Sequence, residues 1–196
     1  MKILDGKTVL VTGAGLGVGR AIALACAEAG ANVAVNDIGA TLHGDPSGDS
    51  PAAKVTHEIQ SAGGNAITLT DSVADWNAAH SMIETTVKAF GSIDAVINNA
   101  GNLRDVIFHK MSEEDFDAVV NVHLKGCFNM SRAAAPYFKE HGGGALLHMT
   151  STSGLVGNFG QANYCAAKLG IVGLSKAIAL DMQRFGVRSN AVAPFA

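Results

Sequence analysis

Apolar runs and alanine-rich stretches alternate along the chain. Thr8-Val9-Leu10-Val11-Thr12 is β-branched and uninterrupted, the pattern of a strand covered on both faces. Leu16 to Gly30 follows at helical spacing, and Asn32 to Asn36 (NVAVN) is a second short strand. The alternation continues with a helix over Lys54–Gly63, a strand over Ala66–Thr70, a helix over Asp75–Phe90 and a strand over Ile93–Ile97. Glu113 to Glu140 reads as mostly helix, Ala145–Thr150 as a fifth strand, Asn163–Phe185 as helix and Val187–Val192 as a sixth strand. Strict β/α alternation requires right-handed crossovers, so the pattern predicts a doubly wound parallel α/β sheet, the Rossmann fold, with strand order 3-2-1-4-5-6. One segment breaks the rhythm. Gly39 to Pro51 (GATLHGDPSGDSP) is polar and turn-rich, longer than most connections of its kind, and reads as a surface excursion.

Composition narrows the function classes. The 196 residues suit one domain, with 48% hydrophobic and 16% charged residues. The net charge of −3 offers no basic surplus for nucleic acid. No apolar run reaches membrane-spanning length, and the N-terminus meets Asp5 and Gly6 at once, unlike a signal peptide. Cys26, Cys127 and Cys165 show neither CxxC nor Cys/His metal spacing, so reduced thiols, a cytoplasmic protein and no metal site are expected.

The chemistry starts at Thr12-Gly13-Ala14-Gly15-Leu16-Gly17-Val18-Gly19, between the first strand and the first helix. Glycines there permit a tight turn and close approach of a pyrophosphate to free helix N–H groups. Asp37 closes the second strand about 20 residues on, where a carboxylate accepts ribose hydroxyls and repels a 2′-phosphate, favouring NAD over NADP. Tyr164 and Lys168 stand four apart on one helix, hence on one face. A free phenol titrates near pH 10, and an ammonium beside it stabilises the phenolate, which suits proton transfer to and from a carbonyl oxygen.

The glycine spacing is TGxxxGxG rather than GxGxxG, and it resembles that of the short-chain dehydrogenase/reductase family. Asn98-Asn99-Ala100-Gly101 matches the family's NNAG motif, Tyr164-Cys165-Ala166-Ala167-Lys168 its YxxxK, and Ser151 stands 13 residues before Tyr164, the family interval. Asn190-Ala191-Val192-Ala193-Pro194 matches the end of the sixth strand. The resemblance implies a catalytic set of Ser151, Tyr164 and Lys168. It places a cofactor against Gly13, Gly15, Leu16, Gly17, Val18, Gly19 and Asp37, and against Asp71, Ser72, Asn98, Ala100, Gly101, Tyr164 and Lys168. Lys168 would also bond the nicotinamide ribose, and Ser151 would hold the substrate oxygen. The same resemblance implies a homotetramer or homodimer built on Glu113–Glu140 and Asn163–Phe185. It also implies continuation past Ala196 into a substrate loop and a seventh strand, so that residues 1–196 form a single dinucleotide-binding catalytic domain without them.

The family's fourth catalytic position is usually asparagine. Counting from NNAG, and back 28 residues from Ser151, lands on His123 rather than on Asn121, which lies about 200° around the helix. Val122-His123-Leu124-Lys125-Gly126 resembles the variant in the 3-hydroxyacyl-CoA dehydrogenase part of peroxisomal multifunctional enzymes, as do Val35–Gly39, Leu103-Arg104-Asp105 and Gly157–Tyr164. A neutral His123 near Lys168 is therefore expected to stand in for the asparagine, on a helix locally distorted at that point. The resemblance points to an NAD-dependent oxidoreductase acting on a secondary alcohol or ketone, with a 3-hydroxyacyl thioester as the candidate substrate. An NADPH-dependent ketoacyl reductase and a non-catalytic dinucleotide-binding protein are the rival readings; Asp37 and Leu16 weigh against the first, and the intact Ser151, Tyr164 and Lys168 against the second.

Overall fold

The computed structural model describes residues 2–39 and 50–194. The centre of the fold is β1 (Thr8–Thr12), which pairs in parallel with β2 (Asn32–Asn36) on one side and β4 (Ala95–Asn98) on the other. Outward from these lie β3 (Ala66–Leu69), β5 (Gly144–Met149) and β6 (Val187–Val192), in the expected order 3-2-1-4-5-6.

All five residues of β1 are buried because helices cover both faces, which erases the polar alternation of a one-faced strand. The period of two survives in the packing. Val9, Val11, Val33 and Val35 pack with α1 (Gly17–Glu28) and α2 (Pro51–Ser61). Leu10, Ala34, Val96 and Leu146 face the opposite layer, where Met82 and Ile83 of α3 (Trp76–Phe90) meet Met130, Ala134 and Phe138 of α5 (Gly126–Glu140). Ile178 and Met182 of α7 (Ala162–Met182) close that layer.

Three local features differ from the sequence pattern. α2 begins at Pro51 rather than Lys54, because the Ser50 hydroxyl caps its first turn and proline suits the first helical position. The long helix over residues 113–140 is two helices, α4 (Glu113–Val120) and α5, and the distortion that the resemblance implied at His123 is the π-helical turn joining them at Asn121–Lys125. A five-residue helix, α6 (Thr152–Val156), follows β5, and Ser151 is its N-cap. The excursion read over Gly39–Pro51 lies mostly outside the described residues, as does Phe195.

The sheet order reverses between β1 and β4. Parallel α/β sheets form their crevice at such a switch point, outside the C-terminal ends of the strands. Here that crevice has a volume of about 950 Å³.

Candidate active site

One wall of the crevice is the turn after β1. The N-terminus of α1 has no side-chain cap, so the amides of its first turn face the crevice from Gly17, Val18 and Gly19. Free amides at a positive dipole end fit a pyrophosphate. Gly19 is required by packing: a Cβ there would collide with the Gly13 carbonyl and the Asn99 amide.

The turn is stitched to the end of β4. Thr12 Oγ1 accepts the amides of Asn99 and Ala100, each at 3.0 Å, and donates to the Ile97 carbonyl. Asn99 Nδ2 returns two bonds of 3.0 Å to the Thr12 and Gly13 carbonyls. Asn99, Ala100 and Gly101 line the crevice. Asn98 does not; as the preceding residue of a strand it points the other way. Its side chain, expected at the cofactor, is buried and donates to Ser131 Oγ and His148 Nδ1, each at 3.2 Å.

Asp37 lies at the crevice with Asn36 and Ile38, whose apolar side chain is exposed there. Ser72 joins them, whereas the exposed Asp71 side chain lies outside the lining; the Asp71 carbonyl accepts Asn36 Nδ2 at 2.9 Å.

Tyr164, Lys168 and His123 come together on the opposite wall. The half-buried Tyr164 ring meets His123 edge-on, with centroids 5.2 Å apart, and Lys168 Nζ lies 5.5 Å from the Tyr164 ring centre. Lys168 is buried, and its ammonium donates to the Met149 carbonyl at 2.5 Å. Burial pushes its pKa down to about 8. The Lys168 ammonium therefore stays largely charged at pH 7 and releases its proton within a moderately alkaline range. Ser151 sits one residue beyond the lining residue Thr150, with its hydroxyl accepting the Ser153 amide at 3.2 Å.

His123 is buried in the π turn, and its Nε2 faces the backbone of Asn102, 3.1 Å from the amide nitrogen and 2.9 Å from the carbonyl oxygen. Gly101 makes room for the ring, since a Cβ there would overlap Cε1. Burial, and secondarily the Lys168 charge, pushes the His123 pKa down to about 3, so the imidazole is neutral. Its Nδ1 is buried and meets no hydrogen-bonding group among the described residues. Asn121 also touches the crevice wall, but it is exposed.

Asn163 was not apparent as a site residue from the sequence. It is fully buried, and its Nδ2 donates to the carbonyls of Arg104 and Asp115 at 2.9 Å each. Its Oδ1 accepts the Tyr164 amide at 2.7 Å, so it fixes the start of α7 against the segment after NNAG. An amide adjoining the tyrosine was the signal available.

Acid should weaken the fold through two imidazoles. Burial also pushes the His148 pKa down to about 4. Unfolded, both histidines titrate near 6.5. Below that pH the unfolded chain binds protons that the folded chain refuses, so stability falls with falling pH; above it neither state is charged and the effect vanishes. The limiting slope for two such groups is about 2.7 kcal/mol per pH unit. Urea denaturation at pH 7.5, 6 and 5 checks this, and a flat profile contradicts it.

A fold and site of this kind define a nucleotide-binding oxidoreductase, and comparison with known proteins agrees. The family model for short chain dehydrogenase matches residues 7–196, and the chain belongs to the short-chain dehydrogenase/reductase family. It is 48% identical over 193 residues to a short-chain type dehydrogenase/reductase of Mycobacterium tuberculosis, covering 98% of this chain and 68% of that one. It is 48% identical over 190 residues to the peroxisomal multifunctional enzyme type 2 of Mus musculus, covering 97% of this chain but only 25% of the relative. The crystal structure of a short chain dehydrogenase from Mycobacterium avium superposes with a TM-score of 0.92 at 48% identity, covering 98% of this chain and 68% of that one.

Proposed function

We infer that the chain is the catalytic portion of an NAD-dependent dehydrogenase that interconverts a secondary alcohol and a ketone, with a 3-hydroxyacyl thioester as substrate. The observation that carries the reading is the convergence of Tyr164, the buried Lys168 and a neutral His123 on a crevice whose far end holds Asp37. Glycine-turn amides and Asp37 would hold the dinucleotide, which supplies hydride transfer when bound. Ser151 would hold the substrate oxygen. Tyr164 Oη would take the alcohol proton in oxidation and return it to the carbonyl oxygen in reduction, while the Lys168 cation stabilises the phenolate. The thioester reading is supported by the resemblance of Val122-His123-Leu124-Lys125-Gly126 to the 3-hydroxyacyl-CoA dehydrogenase part of peroxisomal multifunctional enzymes, and by the 48% identity to the mouse protein of that name.

No helix among the described residues is long and apolar enough to cross a membrane. Three free thiols suit a reducing compartment, and we place the protein in the cytoplasm on that ground. The exposed Phe116 and Phe128 on α4 and α5, and Leu169 on α7, suit self-association into a homodimer or homotetramer.

The test is turnover. A 3-hydroxyacyl-CoA supplied with NAD should generate reduced nicotinamide, followed by its absorbance, faster than a short secondary alcohol does at equal concentration. Equal rates would overturn the thioester assignment, and no reduction with either would overturn the dehydrogenase reading.

A further inference from the structure

The carboxylate of Asp37 is engaged by its own chain. Oδ2 accepts the Gly15 amide at 3.0 Å, and Oδ1 accepts the Gly39 amide at 2.9 Å. The Ala14 amide reaches the Asn36 carbonyl at 2.8 Å, so the end of β2 grips two successive residues of the glycine turn. The fit is close. A Cβ on Gly15 would lie 2.8 Å from Asp37 Oδ2 and would overlap Pro51 Cβ at the start of α2.

Both groups meeting the carboxylate are N–H donors. Only a side chain with two acceptor oxygens satisfies both; an amide has one acceptor and would turn its NH₂ toward the second donor. Bonds to a charged acceptor are also the stronger kind.

We propose that Asp37 is a positioning residue for the glycine turn: it clamps Gly15 and Gly39, and so ties the adenosine end of the crevice to its phosphate end. This role is separate from any bond to a ribose hydroxyl. Two consequences follow. Removing the carboxylate weakens every dinucleotide, including one without ribose hydroxyls to offer. A change of cofactor preference at this position therefore also loosens the phosphate site.

The proposal rests on the reading that the crevice takes a nicotinamide dinucleotide. The test compares the wild-type protein with Asp37→Ala and Asp37→Asn, titrated with NAD and with an NAD analogue lacking both hydroxyls of the adenosine ribose. Amide hydrogen exchange of the unliganded proteins is measured alongside. Loss of the clamp should weaken the analogue by roughly tenfold in Asp37→Ala, the scale of one hydrogen bond to a charged group. Exchange at Gly15 and Gly39 should accelerate at least tenfold in the same variant, while Asp37→Asn should protect only one of the two amides. Analogue affinity unchanged in Asp37→Ala, or Gly15 exchange unchanged, overturns the clamp. Failure of the wild-type protein to bind either dinucleotide overturns the underlying cofactor reading instead. Should Asp37→Ala not fold, exchange in Asp37→Asn decides alone: protection of both amides overturns the proposal.

Discussion

Replacing Tyr164 by Phe should lower turnover roughly 10²-fold or more while leaving cofactor binding within a few-fold of wild type. The ring is half-buried and meets the His123 ring edge-on, and phenylalanine keeps that contact. What disappears is the hydroxyl, the group proposed to pass a proton to or from the substrate oxygen, on a ring whose centre lies 5.5 Å from Lys168 Nζ. The loss should appear in kcat and kcat/KM together, since an interaction made in the transition state is removed. Cofactor titration by fluorescence separates the two effects; near-normal turnover would refute the assignment. His123 tests the wall behind the tyrosine. His123→Asn should keep most activity because an amide can satisfy the Asn102 backbone, whereas His123→Leu should lose about tenfold by leaving that backbone unpaired. Asn121→Ala, at the exposed neighbouring position, should change little.

NADP should bind at least a hundredfold more weakly than NAD. A 2′-phosphate would approach a carboxylate already fixed in place by two backbone amides, so the carboxylate cannot swing aside without releasing Gly15 and Gly39. Like-charge juxtaposition of this kind costs on the order of several kcal/mol. Competitive titration of both cofactors against the same protein checks the ratio, and equal affinity would refute it. In Asp37→Ala the ratio should narrow, chiefly because NAD binding falls.

Much of this was legible from residue order alone. Uninterrupted β-branched runs between alanine-rich helical stretches specify a parallel sheet covered on both faces, because only burial on both sides tolerates a strand such as Thr8–Thr12 without polar alternation. Handedness then leaves few topologies, and the order 3-2-1-4-5-6 is the one adopted. The glycine turn, Asp37, Tyr164 and Lys168 were legible because strand ends and a helical spacing of four dictate where those side chains stand. His123 drew attention only through the family resemblance, by a count from NNAG and from Ser151 against that family's intervals.

The tertiary structure decided what depends on the direction of a side chain or on a partner distant in sequence. Asn98 and Asn99 are indistinguishable as letters. Strand pleating sends one toward Ser131 and His148 and leaves the other to bind the glycine turn. The π turn around His123, where the family resemblance implied a locally distorted helix, has no residue signature of its own; it accompanies an imidazole that packs against Gly101 and reaches Asn102. Asn163 acquires its place from carbonyls 59 and 48 residues away. The Asp37 clamp likewise joins residues 22 apart, and only the pairing of β2 beside β1 brings a carboxylate to the Gly15 amide. Local periodicity records which face of an element is apolar, but hydrogen bonds between separate elements exist only after packing has set the distances.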